Sequence, residues 1–211
     1  MKRRINVLTV VAILLITGFT ACKKDVISNL NNSDTRIYIT ERDSTVNFSS
    51  YKTFSINDSV TVIDNGSASK SLKSIDTAFI AATVKYMQQM GYVKVAKSTS
   101  PNVGINITRI YNTSTGVISY GSYWDAYGGY YDPYYWGYNG YGYDIPYGYN
   151  VYQVAEGALT IDMLDLKNAA TNNKIKIIWT GMIRGEAIFD ATTADNQVKT
   201  LFDQSTYLKT N

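Results

Sequence analysis

Residues 156–186 read EGALTIDMLDLKNAATNNKIKIIWTGMIRGE, and the alternation in this stretch decides the fold. Leu159, Ile161 and Met163 fall on one side of an extended chain, with Thr160 and Asp162 on the other. A second arm repeats the pattern, setting Ile175, Ile177 and Trp179 against Lys174, Lys176 and Thr180. Successive strand side chains leave a sheet on opposite faces, so period-2 alternation marks a strand buried on one side. The stretch therefore predicts a β-hairpin with an apolar face and a solvent face.

Upstream, Ile37 and Ile39 alternate after Arg36, and Tyr51 to Ile56 is a second strand candidate. Asn57 to Lys73 is mostly polar and contains the turn signal Asp64-Asn65-Gly66. Ser74 is placed to cap a helix, because its hydroxyl can accept an orphan backbone N–H. Ile75, Phe79, Ala82, Tyr86 and Met90 then recur at helical spacing, and Gly91 supplies the C′ stop. Tyr92 to Ala96 and Val103 to Tyr111 are further strands, the second with Asn106 and Thr108 on its polar side. Near the end, Thr193 is a cap for a helix with Ala194, Val198, Leu201 and Leu208 on one stripe. These elements predict an α+β domain over residues 36–211. It is a single antiparallel or mixed β-sheet with two helices packed on one face, interrupted at about 112–152 by an irregular Tyr/Gly-rich insertion.

The chain has 211 residues, no histidine, and one cysteine, Cys22. Internal disulfides, Cys/His zinc sites and nucleophiles driven by a histidine base are thereby excluded. The formal charge of +3 comes from Lys2, Arg3 and Arg4; without them 17 basic residues face 17 acidic ones. That balance gives no electrostatic footprint for nucleic acid.

Residues 1–21 read as a signal peptide: the three basic residues, then an uncharged, mostly apolar run from Ile5 to Ile16. Gly18-Phe19-Thr20-Ala21-Cys22 resembles the lipobox of bacterial lipoproteins, with Phe19 where Leu, Val or Ile is usual. The resemblance implies cleavage before Cys22, acylation of that residue with palmitate among the chains, and tethering to a membrane. The alternatives are an uncleaved membrane helix, for which the apolar run is short, and a buried cysteine, which the polar Lys23-Lys24-Asp25 opposes. Lys23 after the cysteine resembles the outer-membrane class. Residues 22–35 are polar and Asn/Ser-rich, a flexible tether.

The order of motifs resembles a family of bacterial lipoproteins catalogued as domain of unknown function 4136. Ser50-Tyr51-Lys52-Thr53-Phe54 looks like its early strand, and Ser74 to Tyr92 like its helix ending in Gly-Tyr. Pro101 to Thr108 looks like the following strand, with Asn102 where the family usually has Asp. Glu156 to Asp162 and Ile178-Trp179-Thr180-Gly181 resemble its paired later strands. The resemblance implies a fold and an envelope address, and no catalytic residue.

Ser119 to Asn150 holds 12 of the 19 tyrosines, seven glycines, Trp124 and Trp136, and neither Lys nor Arg. One reading is a long low-complexity loop. The other is a contact surface, because Tyr and Trp combine a flat apolar face with a polar tip suited to sugars and wet interfaces. Tyr123, Trp124, Tyr130, Tyr134, Tyr135 and Trp136 are its ligand-binding candidates. Asp125, Asp132 and Asp144 lack the spacing of a calcium loop and read as turn residues, so neither metal nor cofactor is expected. A carbohydrate-active enzyme would have to use Asp162 and Asp165, the only carboxylates placed like a glycosidase pair. The leading expectation is a non-enzymatic envelope lipoprotein. It would be held by lipid at Cys22, on the periplasmic side or the cell surface, and would present an aromatic loop to a glycan or protein partner. If Cys22 carries the anchor, Cys22→Ala abolishes palmitate labelling in growing cells and leaves a soluble protein or an uncleaved precursor.

Overall fold

The computed structural model describes residues 35–65, 67–111, 117–119, 133–144, 151–153 and 157–210, with 117–119 and 151–153 as backbone alone. The expected signal peptide, Cys22 and all but the last residue of the tether lie outside the described residues. The strands, in chain order, are β1 (Ile37–Arg42), β2 (Thr53–Ile56), β3 (Val60–Asp64), β4 (Ser67–Ser71), β5 (Val93–Lys94) and β6 (Val103–Tyr111). They continue as β7 (Val117–Ser119), β8 (Gly142–Asp144), β9 (Val151–Gln153), β10 (Ala158–Asp165) and β11 (Lys174–Arg184). The α-helices are α1 (Ser74–Gln89), α2 (Ala169–Asn172) and α3 (Ala194–Asp203).

Nine strands form one open sheet in the order β1-β11-β10-β6-β2-β5. β1, β11, β10 and β6 are antiparallel neighbours, whereas β2 and β3 share the far edge of β6 in parallel. β8 runs parallel to the first residues of β11, beyond the reach of β1. β7 and β9 make a separate antiparallel pair. The fold class is the expected one, α+β with a mixed sheet.

The hairpin β10–β11 is the expected pair of arms, but its faces differ from the simple alternation. Met163 lies opposite Trp179, and Leu164 lies opposite Ile177. Ile178 is therefore an extra residue in β11, a β-bulge, and every residue before it is turned over. Ile178, Trp179 and Ile183 join Leu159, Ile161 and Met163 in one core. Ile175 and Ile177 join Leu164, Ala158 and Met182 in a second core on the other face. Ile175 and Ile177 do not share a face with Trp179, because the bulge intervenes.

The first core lies beneath the helices. Phe79, Ala82, Tyr86 and Met87 of α1 and Ala194, Val198, Leu201 and Phe202 of α3 pack there against Ile105, Ile107 and Trp179. Each fully buried Phe, Met, Val, Leu or Ile side chain among them contributes roughly 1.5–3 kcal/mol before chain entropy is charged against it. Gly181 makes the close packing possible: a Cβ there would lie 2.7 Å from Trp179 Cη2 and 2.8 Å from Leu201 Cδ1. The indole lies over this glycine and donates from Nε1 to Ser205 Oγ at 3.0 Å.

The second face is covered as well. Ile63, Ala68, Ile110, Trp136, Leu166 and Ala169 close it, so β10 is buried along its whole length. Thr160 and Asp162, expected on a solvent side, are consequently buried.

Helix α1 starts by a different device from the one expected. Lys73 is the N-cap residue, and Ser74 already belongs to the helix. Asp76 Oδ2 accepts from the Lys73 N–H at 2.7 Å and from Ser71 Oγ at 2.6 Å. Its Oδ1 pairs with Arg109 Nε at 2.7 Å, both side chains being buried. Arg109 also donates to the Tyr111 hydroxyl. At the other end Gly91 takes φ +96°, as the C′ position requires. In α3, Thr193 is the cap residue, but its hydroxyl accepts from Gln197 Nε2 instead of a backbone N–H, and Leu208 lies in a 3-10 turn after the helix.

The polar stretch after Asn57 forms the hairpin β3–β4, closing between Asp64 and Ser67. Its outer strand is Ser67-Ala68-Ser69-Lys70-Ser71, without an apolar alternation to announce it. Polar residues and a lysine suit an edge that must not recruit another chain.

Arg109→Met leaves a charged Asp76 buried without its counter-ion, and we expect a loss of about 3–5 kcal/mol in urea unfolding. Adding Asp76→Asn to that variant removes the stranded charge and recovers part of the loss. Equal instability in the single and double variants would show that the ion pair is not the cause.

Candidate functional site

Residues 133–144 of the Tyr/Gly-rich insertion pack on the second face of the sheet. Pro133–Trp136 is a single 3-10 turn. Gly137 and Gly140 follow with φ +88° and +80°, conformations that allow two tight reversals before β8. Tyr138 donates from its hydroxyl to the Leu166 carbonyl at 2.7 Å, and its ring stands 5.4 Å from that of Tyr141. Lys174, Ile175 and Lys176 of β11 then pair with Gly142, Tyr143 and Asp144. Asp144 is thus a strand residue and not a turn residue.

The three described ligand-binding candidates have three different environments. Tyr134 is 68% exposed. Tyr135 is half-buried, with Lys97 Nζ 3.8 Å and Lys70 Nζ 5.7 Å from its ring centroid. Burial, followed by the negative charge of Asp58, pushes its phenol above the ordinary value, and a hydrogen bond with the Asp58 backbone offsets part of this. Trp136 stands edge-on to Tyr135, with centroids 4.9 Å apart. It is 6% exposed, so it belongs to the second core and offers no flat face to solvent. Tyr123, Trp124 and Tyr130 lie outside the described residues, as does Cys22.

Beneath this segment the sheet carries a polar floor. Asp162 Oδ1 accepts from Thr180 Oγ1 at 2.7 Å, and its Oδ2 accepts from Thr160 Oγ1 at 3.2 Å. Asn106 sits opposite Asp162 on β6, and Thr108 sits opposite Thr160. All five side chains are buried. Gly104, two residues before Asn106, lies under Trp136: a Cβ there would be 3.0 Å from both Cε2 and Cζ2 of the indole. Asn106 and Gly104 escaped the sequence reading because an alternating strand assigns its polar side to water. The residues that cover them come from the insertion and from hairpin β3–β4, far away in the chain.

Asp165 belongs elsewhere. Three positions after Asp162 in an unbulged strand, it leaves β10 on the helix face. Its oxygens accept from the Asn168 N–H at 3.0 Å and from Asn168 Nδ2 at 2.7 Å. Tyr51, a first-core residue, lies beside it and accepts from Asn168 Nδ2 at 3.2 Å. Burial pushes the Tyr51 phenol well up, and the Asp165 carboxylate raises it further. The two carboxylates considered as a glycosidase pair therefore do not face one another.

Comparisons with known proteins agree with this architecture. The family described as "Domain of unknown function (DUF4136)" matches residues 39–205. No curated protein matches. Among solved structures, a DUF4136 family protein from Bacteroides thetaiotaomicron VPI-5482 is 25% identical with a TM-score of 0.70. The alignment covers 84% of this chain and 100% of that one. A PDZ domain protein from Parabacteroides distasonis ATCC 8503 has a TM-score of 0.42 at 15% identity, covering 81% of this chain and 36% of that one, too distant to support an argument.

The Tyr51–Asp165 contact sets a pH dependence. A phenol whose folded pKa lies above its unfolded value of 10.0 adds stability in full below that value, and this is lost as pH rises toward the folded value. Asp165→Asn removes the neighbouring charge, so the Tyr51 phenolate should form at lower pH in an ultraviolet titration and alkaline unfolding should change accordingly. An unchanged Tyr51 titration would show that burial alone holds the phenol.

Proposed function

The chain belongs to the DUF4136 family, and on that premise we propose that it is a non-enzymatic binding or scaffold module. In this reading it is tethered through lipid at Cys22 to the outer membrane of a bacterial envelope, on the periplasmic side or at the cell surface. It presents the aromatic segment around Tyr134 to a glycan or protein partner. Among the described residues no helix is long and apolar enough to cross a membrane.

The observation that carries the proposal is the exposed Tyr134 beside a Tyr135 ring attended by two lysine ammonium groups. An exposed aromatic ring next to positive charge suits a sugar ring, or a partner with aromatic or acidic groups. The alternative, a carbohydrate-active enzyme using Asp162 and Asp165, needs both carboxylates facing one bond about 5–9.5 Å apart. Their positions on opposite faces of β10 favour the binding module.

The segment is also part of the fold, and this governs the choice of variant. Deleting Ser119–Asn150 would remove Trp136 and β8 and uncover the core around Leu164, Leu166 and Ile177, so loss of binding would be confounded with loss of structure. Tyr134→Ala avoids that difficulty because the ring is exposed, and stability should change by no more than about 0.5 kcal/mol. In pull-downs from detergent-solubilised envelope the variant should recover markedly less partner at an unchanged melting temperature. Equal recovery by both forms would reject this surface.

A further inference from the structure

Two lysines from distant parts of the chain converge on one aromatic ring. Lys70 belongs to the edge strand β4, and Lys97 opens the 3-10 turn that follows β5. Their ammonium nitrogens stand 5.7 and 3.8 Å from the ring centroid of Tyr135. Both side chains are exposed, and among the described residues neither makes an ion pair. Asp58, whose charge is felt at the Tyr135 phenol, pairs with neither of them. An aromatic face attracts an ammonium group through its quadrupole but carries no net charge. Two positive charges are thus gathered at one ring without a counter-ion, an arrangement that favours an anion. The neighbouring Tyr134 is 68% exposed. The cluster also has a definite place along the strands. Trp136, the next residue, covers Gly104, whereas Ile37 at the start of β1 is aligned through Arg184 and Ala158 with Ile110. Gly104 and Ile110 are about 20 Å apart along β6, at roughly 3.3 Å per residue.

We propose that Lys70, Lys97 and Tyr135, flanked by Tyr134, form a surface site for an acidic glycan, a sugar chain whose units carry carboxylates. The inference rests on the binding-module reading and names the class of its glycan. A carboxylate accepts charge-assisted hydrogen bonds from both ammonium groups, and the apolar face of the sugar ring packs on the exposed Tyr134. Contact with the Tyr135 ring holds the lysines near their working positions, so less side-chain freedom is lost on binding. A protein partner fits less well. Protein interfaces are built on a continuous apolar centre. The exposed large apolar side chains among the described residues are Ile37, Leu72, Val93 and Tyr134, and no two of them share an element. A sugar needs only one such ring. An anionic lipid surface is disfavoured by position. In the tethered reading the chain comes from the membrane into β1 at Ile37, and the lysines lie toward the other end of the strands.

The test is titration calorimetry on the purified full-length protein in a non-ionic detergent at low salt. The probes are oligogalacturonate, its methyl ester, an oligosaccharide of hyaluronate, and oligoglutamate. At least one of the two acidic sugars should bind, and more weakly as salt is raised. The methyl ester keeps the ring and loses the charge, so it should bind at least about tenfold more weakly than oligogalacturonate. Replacing both lysines by glutamine, Lys70→Gln with Lys97→Gln, should weaken binding of the acid by about tenfold or more at an unchanged melting temperature. Lys70→Arg with Lys97→Arg should keep it. The proposal is overturned if neither acidic sugar binds, if the ester binds as well as the acid, or if the glutamine variant binds as the parent does. It is also overturned if oligoglutamate binds as tightly, because an acidic peptide would then serve equally. The ester comparison uses the parent protein and decides the matter even where the glutamine variant is destabilised. Failure of both acidic sugars, combined with lost recovery in Tyr134→Ala, would reject the acidic glycan and keep the binding module. Acid binding with unchanged recovery in Tyr134→Ala would keep the lysine site and remove Tyr134 from it.

Discussion

One extra residue, Ile178, is the constraint on which both cores depend. If the strand ran through Ile178 without a bulge, β11 would alternate regularly, and Ile175 and Ile177 would emerge on the helix face with Trp179. The second core would then lose two of its isoleucines, and residues 133–144 would lie over lysines. The bulge reverses the strand midway, so one continuous backbone supplies apolar side chains to the helix layer from its second half and to the opposite layer from its first half. A sheet covered on both sides then becomes possible, and the polar floor around Asp162 is enclosed as a consequence.

The Asp76–Arg109 pair fixes the helix layer to the sheet. Burying two charges carries a desolvation cost that their attraction alone seldom exceeds. Here the cost is spread over a helix start, an edge hairpin and a central strand, because Asp76 also accepts from Lys73 and Ser71 and Arg109 also donates to Tyr111. The weakly apolar strand β4 gains through Ser71 an attachment that its own side chains could not provide. The pair thus serves register more directly than it serves stability.

Local periodicity made much of this legible. The arms of β10 and β11, the stripe on α1, the stop at Gly91 and the strand Val103–Tyr111 follow from spacing alone. What escaped has a common physical origin in partners distant in the chain. Ile175 to Trp179 contains four apolar residues in five, and nothing local says where a bulge falls in such a run. Strand β4 has no apolar face, since it needs only an edge to join. Ser74 is a fair cap by type, but the carboxylate of Asp76, already drawn inward by Arg109, takes that role. Asp162 and Asn106 read as solvent-facing because the residues that cover them lie in other segments. Trp136 was singled out for its chemistry and is found inside, packed over Gly104.

The position of β1 has a consequence for the order in which the domain can be assembled. Among the described strands it comes earliest in the chain, yet its sheet partner is β11, and Ile37 must wait for Arg184. Until then its backbone groups can be served only by water, and the span to be closed is nearly the whole domain, so its docking belongs to the late, slow, long-range steps. A chain interrupted anywhere before β11 would carry an unpaired first strand, a ready point of capture for a chaperone or for another unfinished copy.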